Sequence, residues 1–303
     1  MLSFYTPVIG AELLALQQGA ENIAVTPGGF TRHYLLYTPP GLAANAPLLI
    51  AYHPSSSDGA KMRSMSGAAL ERLANKYGFA VAYPNGFERH FNDCRREASY
   101  AARKKNIDDI GYTRAIIDDV ASRQHIDRQR VYALGYSNGG HMALRLALQA
   151  PDMIAGVIAI SANLPTAENN DCKPVDGRPV SVVFIEGTKD KINPYTGGDV
   201  TIFGMDSRGP VMSAKDSALW FAERYGIKEQ TDLPAPMALG KLTASWQSWG
   251  NASTKVSLIT IDGGGHTIPQ SDVEFPQLFV GATFKSNVPL ESAWNTISGM
   301  SQR

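Results

Sequence analysis

Short apolar runs alternate with segments of helical periodicity along most of the chain. Nearly continuous apolar runs, typical of strands covered on both faces, occupy residues 47–52, 79–83, 131–134, 154–160, 180–185 and 256–261. Apolar positions three or four residues apart, typical of helices, recur over residues 66–77, 112–123, 141–150 and 213–225. This alternation predicts an α/β fold, with a mostly parallel central sheet and helices on both of its faces.

Some segments depart from this alternation. Residues 23–26 and 32–37 are strand-like runs joined through Pro-Gly-Gly at 27–29, and this pattern predicts a hairpin. Residues 84–106 and 194–212 have no clear period. Irregular stretches of this length inside a compact domain often contribute to a functional site.

The chain contains no internal repeat or linker, so we expect one catalytic domain over residues 1–303. We expect residues 1–21 to be an N-terminal extension and residues 191–212 to be an insertion at the substrate site. Residues 1–18 lack the basic segment of a secretory signal peptide and place Glu12 inside their only apolar stretch. No apolar run is long enough to cross a bilayer, so the sequence predicts no membrane partner.

The composition describes a globular protein with balanced charge. Hydrophobic residues make up 44% of the chain and charged residues 18%, which is enough apolar surface for a large core. The 28 basic and 28 acidic residues cancel, which argues against nucleic acid as a partner. Cys94 and Cys172 are too few and too far apart for a zinc site, and they are compatible with either one disulfide or two reduced thiols.

The candidate chemistry centres on residues 135–140 (Gly-Tyr-Ser-Asn-Gly-Gly), which contain the pattern G-x-S-x-G. A buried strand precedes this turn and a buried helix follows it, and in that context the pattern predicts a nucleophile elbow. Gly135 and Gly139 stand where side chains would collide as the backbone reverses. We expect Ser137 to be a strained nucleophile and the N–H of Asn138 to face a developing oxyanion. The alternative is an ordinary glycine-rich turn with a solvated serine.

A serine hydroxyl needs a base within hydrogen-bond reach and a carboxylate that orients this base. His266 follows the last predicted strand and a run of three glycines, which lets its loop fold back over the sheet. Asp190 lies just past the predicted strand at residues 180–185. The chain order serine, acid, histidine favours Asp190 as the acid and His266 as the base. His53 is the rival base, and Glu186 and Asp262 are the rival acids.

Several sequence blocks resemble, in the same order, the polyhydroxybutyrate depolymerase family of esterases, which also contains feruloyl and acetylxylan esterases. The matching blocks are residues 92–95 (Asn-Asp-Cys-Arg), 108–112, 130–140, 187–198, 208–213 and 264–267. The resemblance implies an α/β-hydrolase fold and a serine esterase that acts through a covalent acyl-enzyme. It also implies Ser137, Asp190 and His266 as the catalytic triad, in agreement with the interpretation of the residues. The acyl-enzyme chemistry of such a triad requires no metal or other cofactor. Because members of the family are mostly exported, it implies an extracellular or periplasmic location.

The chain departs from the family pattern beside the candidate site. Pro54 replaces the glycine of a common His-Gly pair and has no N–H to offer an oxyanion, so we expect Ser55, or its neighbour Ser56, to be the second donor. Glu186 replaces a common histidine before the acid turn. These changes leave the triad intact and bear on substrate preference.

The expected function is hydrolysis of hydroxyalkanoate oligomers, polyesters or similar esters, with the ester as the one predicted partner. A feruloyl or acetylxylan esterase acting on plant cell-wall esters is the alternative within the same chemistry. An acyltransferase would use the same triad with an alcohol in place of water. A binding protein that has kept the fold without catalysis is the alternative of another class.

Overall fold

The computed structural model describes residues 19–202, 204–228 and 233–299. The strands are β1 Ala20–Val25, β2 Arg32–Tyr37, β3 Leu48–Tyr52, β4 Ala80–Pro84, β5 Val131–Tyr136, β6 Gly156–Ile160, β7 Ser181–Gly187, β8 Gly198–Asp199, β9 Pro210–Val211, β10 Met237–Leu239, β11 Leu242–Gly250 and β12 Lys255–Asp262. The helices are α1 Gly59–Met65, α2 Ala69–Tyr77, α3 Ala101–Lys104, α4 Asp109–Gln124, α5 Asn138–Gln149, α6 Ala214–Arg224, α7 Gln277–Val280 and α8 Val288–Ser298.

Within these residues, ten strands form one sheet in the order β1-β2-β4-β3-β5-β6-β7-β12-β11-β10. The strands from β4 to β12 in this order pair in parallel. Both edges are antiparallel, because β1 and β2 form the expected hairpin on one side and β10 and β11 form a second hairpin on the other. The predicted mostly parallel sheet is confirmed.

Hydrophobic cores cover both faces of the sheet. Successive residues of β3 alternate between the two cores, with Leu48 and Ile50 in one and Leu49 and Ala51 in the other. Helices α4, α5 and α6 contribute to the first core, and α1, α2 and α8 contribute to the second. This two-sided burial explains why the parallel strands are apolar along their whole length.

Several boundaries differ from the sequence-based expectation. The helix expected from residue 66 begins only at Ala69, because Gly67 and Ala68 have φ angles of +60° and +54° that interrupt helical geometry. The N-terminal extension expected over residues 1–21 lies mostly outside the described residues, and its last part, Ala20 and Glu21, already belongs to β1. The sequence reasoning also placed no element over β11 or α8.

A disulfide joins Cys94 to Cys172, which decides between the two alternatives that the sequence left open. The bond ties the irregular stretch at residues 84–106 to the segment after β6. Within the described residues, no helix is long and apolar enough to cross a membrane.

Candidate active site

The turn between β5 and α5 has the geometry expected of a nucleophile elbow. Ser137 has a φ angle of +56°, a conformation that costs free energy for any residue with a side chain. A Cβ added at Gly135 would lie 2.0 Å from the carbonyl oxygen of Gly139, and one added at Gly139 would lie 2.2 Å from that of Tyr52. The two glycines therefore let the backbone reverse at a half-buried serine, as their spacing predicted.

Asp190 and His266 meet in a buried hydrogen bond. The Nδ1 atom of His266 lies 2.7 Å from Oδ2 of Asp190. The other carboxylate oxygen, Oδ1, accepts hydrogen bonds from the backbone N–H groups of Ile192 and Asn193 at 2.8 and 2.9 Å. A carboxylate held in this way fixes the tautomer of the imidazole and leaves Nε2 free to accept a proton.

Backbone contacts join the loops that carry these two side chains. The N–H of Lys189 donates to the carbonyl oxygen of Gly264 at 2.8 Å, and the N–H of His266 donates to that of Val280 at 2.6 Å. The hydroxyl of Tyr136, the residue before the candidate nucleophile, donates to the carbonyl oxygen of His266 at 2.6 Å. The elbow, the acid loop and the histidine loop are thus held at one edge of the sheet.

The structure does not bring all three predicted residues into mutual contact. Among the described residues, no hydrogen bond joins the Ser137 hydroxyl to the His266 imidazole. Catalytic hydrogen bonds of this kind are often long before substrate binds and shorten in the enzyme–substrate complex. The catalytic roles of the three residues therefore stay predictions.

The rival base has another role in the structure. His53 is fully buried, its Nε2 accepts the backbone N–H of Gly86 at 2.8 Å, and its Nδ1 lies 2.7 Å from the carbonyl oxygen of Pro54. Both ring nitrogens are occupied by backbone groups, so His53 fastens loops and has no nitrogen left for a serine.

The rival acids also have other partners. Asp262 accepts a hydrogen bond from the Thr188 hydroxyl at 2.9 Å. Glu186 lies at the end of β7, as expected, where it accepts hydrogen bonds from the backbone of Ala162 and from the amide of Asn193. In the described part of the chain, Asp190 is the carboxylate bonded to His266.

The predicted oxyanion donors lie at the same edge of the sheet. Asn138 is the first residue of α5, and the first N–H groups of a helix have no partner inside that helix. Ser55 follows β3, whose last residue pairs with Gly135 of the elbow strand. Ser55 is half-buried, and its role as the second donor stays a prediction.

Sequence reasoning missed a buried network that holds the side chain of Asn138. Its amide nitrogen donates to Asp93 Oδ2 at 2.8 Å and to the Tyr100 hydroxyl at 3.1 Å, and its oxygen accepts the N–H of Phe91. Burial alone would raise the pKa of Asp93, but the Arg95 guanidinium beside it holds this pKa below its usual value. A charged Asp93 thus anchors the residue next to the candidate nucleophile. The one signal in the sequence was the block at residues 92–95.

Across residues 19–202, 204–228 and 233–299, no group of three or more His, Cys, Asp and Glu side chains could hold an ion. The groups assembled at the sheet edge are those that nucleophilic acyl transfer uses: a half-buried serine hydroxyl, an oriented imidazole and the first N–H of a helix.

Comparison with known proteins identifies similar chains. Residues 32–170 match the family described as Esterase PHB depolymerase. The chain is 28% identical to the putative esterase NocK of Nocardia uniformis subsp. tsuyamanensis. The alignment covers 97% of this chain and 87% of that protein. It is also 28% identical to feruloyl esterase B of Piromyces equi, over 73% of this chain and 39% of the relative.

Two further matches concern a polyester depolymerase and a solved structure. Poly(3-hydroxyalkanoate) depolymerase C of Paucimonas lemoignei is 26% identical over 88% of this chain, which spans 66% of that protein. The structure of an acetyl xylan esterase from Aspergillus awamori superimposes with a TM-score of 0.57 and 17% identity, over 82% of this chain and 95% of that one. The structural likeness shows the fold alone, and this fold is that of an α/β-hydrolase.

Proposed function

We propose, on the premise that residues 32–170 belong to the PHB depolymerase family of esterases, that this chain is a serine carboxylic ester hydrolase. The observation that carries the proposal is the buried Asp190–His266 pair at the sheet edge where the strained Ser137 elbow ends. An oriented imidazole beside an elbow serine is the arrangement that activates a hydroxyl for acyl transfer.

The reaction proceeds through a covalent acyl-enzyme. His266 takes the proton from Ser137 as the serine oxygen attacks the ester carbonyl carbon. The N–H groups of Asn138 and Ser55 hold the resulting oxyanion. The tetrahedral intermediate collapses, the carbon–oxygen bond to the alcohol breaks, and His266 gives its proton to the departing alcohol. Water, deprotonated by His266, then releases the acid and restores the serine.

The substrates that fit best are hydroxyalkanoate oligomers or polyesters and similar esters. The likeness to poly(3-hydroxyalkanoate) depolymerase C supports this choice. The likeness to feruloyl esterase B supports a second candidate, an esterase acting on plant cell-wall esters. An extracellular or periplasmic location accompanies the proposal, because the Cys94–Cys172 disulfide suits an oxidising compartment.

Replacing the nucleophile tests the proposed function. We expect Ser137→Ala to lower kcat by about five to six orders of magnitude on each ester that the wild type cleaves. Initial rates on methyl ferulate, acetylated xylan and hydroxybutyrate oligomers measure this loss and rank the substrates. Rates with an added alcohol would separate hydrolysis from acyl transfer.

The matched control is Ser161→Ala, since Ser161 also follows a parallel strand and has a φ angle of +51°. We expect this variant to keep its activity and to react with a serine-directed phosphonate, whereas Ser137→Ala should not react. Equal activity of wild type and Ser137→Ala would refute the mechanism. Failure of the phosphonate to label wild-type Ser137 would instead favour a binding protein without catalysis.

A further inference from the structure

Glu186 is a buried carboxyl that the proposed reaction does not use. It lies at the end of β7 with no exposed surface. Its Oε1 accepts the backbone N–H of Ala162 at 2.8 Å, and its Oε2 lies 3.3 Å from the amide nitrogen of Asn193. Burying a carboxyl is costly, so its presence beside the candidate acid needs a physical reason.

Its two partners lead to different parts of the site. Ala162 packs against the elbow helix so closely that a Cβ added at Gly140 would lie 2.6 Å from the Ala162 Cβ. Asn193 donates its backbone N–H to Asp190 Oδ1, and Oδ2 of the same carboxylate holds His266. Direct contacts therefore run from α5 through Ala162, Glu186 and Asn193 to the candidate acid.

The protonation state of Glu186 determines whether a second negative charge lies close to Asp190. Burial raises the pKa of Glu186 well above its usual value, and the neighbouring Asp190 carboxylate acts in the same direction. The hydrogen bonds from Ala162 and Asn193 oppose this rise without cancelling it. A neutral Glu186 adds no second negative charge beside the Asp190–His266 pair, whereas an ionised Glu186 would compete with Asp190 for the imidazole ring.

We propose that Glu186 is a positioning residue, a buried carboxyl whose hydrogen bonds to Ala162 and Asn193 fasten the Asp190 loop to the elbow helix. It touches neither substrate nor reacting atoms and acts on Asp190 through Asn193. The inference rests on the proposed function, because its effect is an effect on ester hydrolysis.

Hydrogen-bond chemistry selects the informative variants. Asn193 donates its amide N–H to Glu186 Oε2, and its own oxygen lies 3.5 Å from the N–H of Asn163. A neutral Glu186 carries a proton on one oxygen, so the Asn193 amide must rotate by half a turn for its oxygen to accept this proton. Glutamine reproduces this pattern, since its oxygen accepts from Ala162 and its NH₂ donates to Asn193. Leucine has a similar volume and leaves both partners unpaired.

The test compares Glu186→Gln and Glu186→Leu on one soluble ester, with kcat, KM, the pH–rate profile and the melting temperature measured for each. We expect Glu186→Leu to lose about 10- to 100-fold in kcat at similar KM, because the acid is displaced from the base. We expect Glu186→Gln to restore kcat to within about threefold of wild type. The acid limb of the pH–rate profile of Glu186→Gln, which reports protonation of the essential base, should stay within about 0.2 pH unit of that of the wild type.

Each contrary result overturns a stated part of the proposal. Wild-type kcat in folded Glu186→Leu would refute the positioning role. A shift of the acid limb in Glu186→Gln by about half a pH unit or more would mean that Glu186 carries charge beside Asp190.

If Glu186→Leu fails to fold, Asn193→Ala breaks the same link from its other end. Asn193→Ala should show the same loss of kcat at similar KM, because it removes the amide that Glu186 holds. Wild-type kcat in folded Asn193→Ala would overturn the link. Ser137→Ala measured beside these variants separates the two proposals: activity in that variant refutes the proposed function, whereas an inactive Ser137→Ala with unaffected Glu186 and Asn193 variants refutes the link alone.

Discussion

His53 couples folding to pH because both of its ring nitrogens serve buried backbone groups. Burial lowers the pKa of His53 to about 4, although the hydrogen bond to Pro54 acts in the opposite direction. The imidazole of the unfolded chain has a pKa of about 6.5, so the unfolded state binds a proton first as the pH falls. The stability that His53 confers is complete above this value and is lost between there and about pH 4.

We expect His53 to account for about 3 kcal/mol of the fall in unfolding free energy across this range. Urea unfolding at pH 7, 5 and 4 measures this fall. His53→Gln, whose side-chain oxygen can still accept the Gly86 N–H, should show a shallower decline. His33→Gln replaces an exposed histidine of β2 and should follow the wild type. Equal slopes in all three proteins would contradict the prediction. His141, whose pKa burial also lowers, contributes to the decline in each of them.

The contacts of single residues differ in how well the sequence predicts them. The contact between Asp190 and His266 could be predicted, because a strand end and the chain order point to this pair, and the local motif predicted the strained turn at Ser137. The catalytic roles of the three residues stay predictions. The anchoring of Asn138 by Asp93 could not be predicted, since 45 residues separate the two and neither position has a local pattern that reveals the other. Contacts between irregular segments depend on the assembled fold.

At the scale of elements, the end of β7 and the loop after β12 touch through their backbones. A Cβ added at Gly187 would lie 2.5 Å from the carbonyl oxygen of Gly264 and 2.6 Å from that of Gly265. Gly187→Ala must therefore push the histidine loop away from the acid loop.

We expect Gly187→Ala to lower kcat by about 100-fold, because the imidazole would be displaced from the serine. The strain should also cost about 1 to 3 kcal/mol of unfolding free energy. Steady-state kinetics and urea unfolding measure the two effects. Gly19→Ala is the matched control, since its new Cβ would meet the Tyr37 ring at an ordinary 3.6 Å. Unchanged kcat in Gly187→Ala would show that the two loops can separate without harm.

The parallel strands of the central sheet could be predicted from the sequence, whereas β11 and the start of α2 could not. The parallel strands are apolar throughout because both of their faces are covered, and they were found from the sequence. Strand β11 carries polar and apolar residues in alternation and lies near the edge of the sheet, so its pattern was weak. Helix α1 was not predicted, and α2 was expected to begin three residues too early, because Ala68 adopts a left-handed conformation that its residue type disfavours.

At the scale of the whole molecule, the Cys94–Cys172 disulfide closes a loop with a sequence separation of 78 residues. This loop contains β5, the elbow and β6, so the bond restricts the unfolded state of the segment that carries the nucleophile. Cys94 also follows Asp93, which anchors Asn138.

We expect the double variant Cys94→Ala/Cys172→Ala to lose about 4 kcal/mol of unfolding free energy, because its unfolded chain regains conformational entropy. Urea unfolding with and without a reductant measures the loss. The reductant should destabilise the wild type by a similar amount and leave the double variant unchanged. A urea midpoint of the wild type that does not change when the disulfide is fully reduced would contradict this prediction.

The strands that carry the proposed triad are synthesised at different times, because the ribosome builds the chain from its N-terminus. Strands β5 and β7 are complete while β12, which pairs with β7 and precedes His266, has still to be made. Until β12 docks on β7, the proposed base His266 is not yet held beside the proposed nucleophile Ser137. Ester hydrolysis by the proposed triad therefore requires that β12 has joined the sheet, although the elbow strand is synthesised long before it.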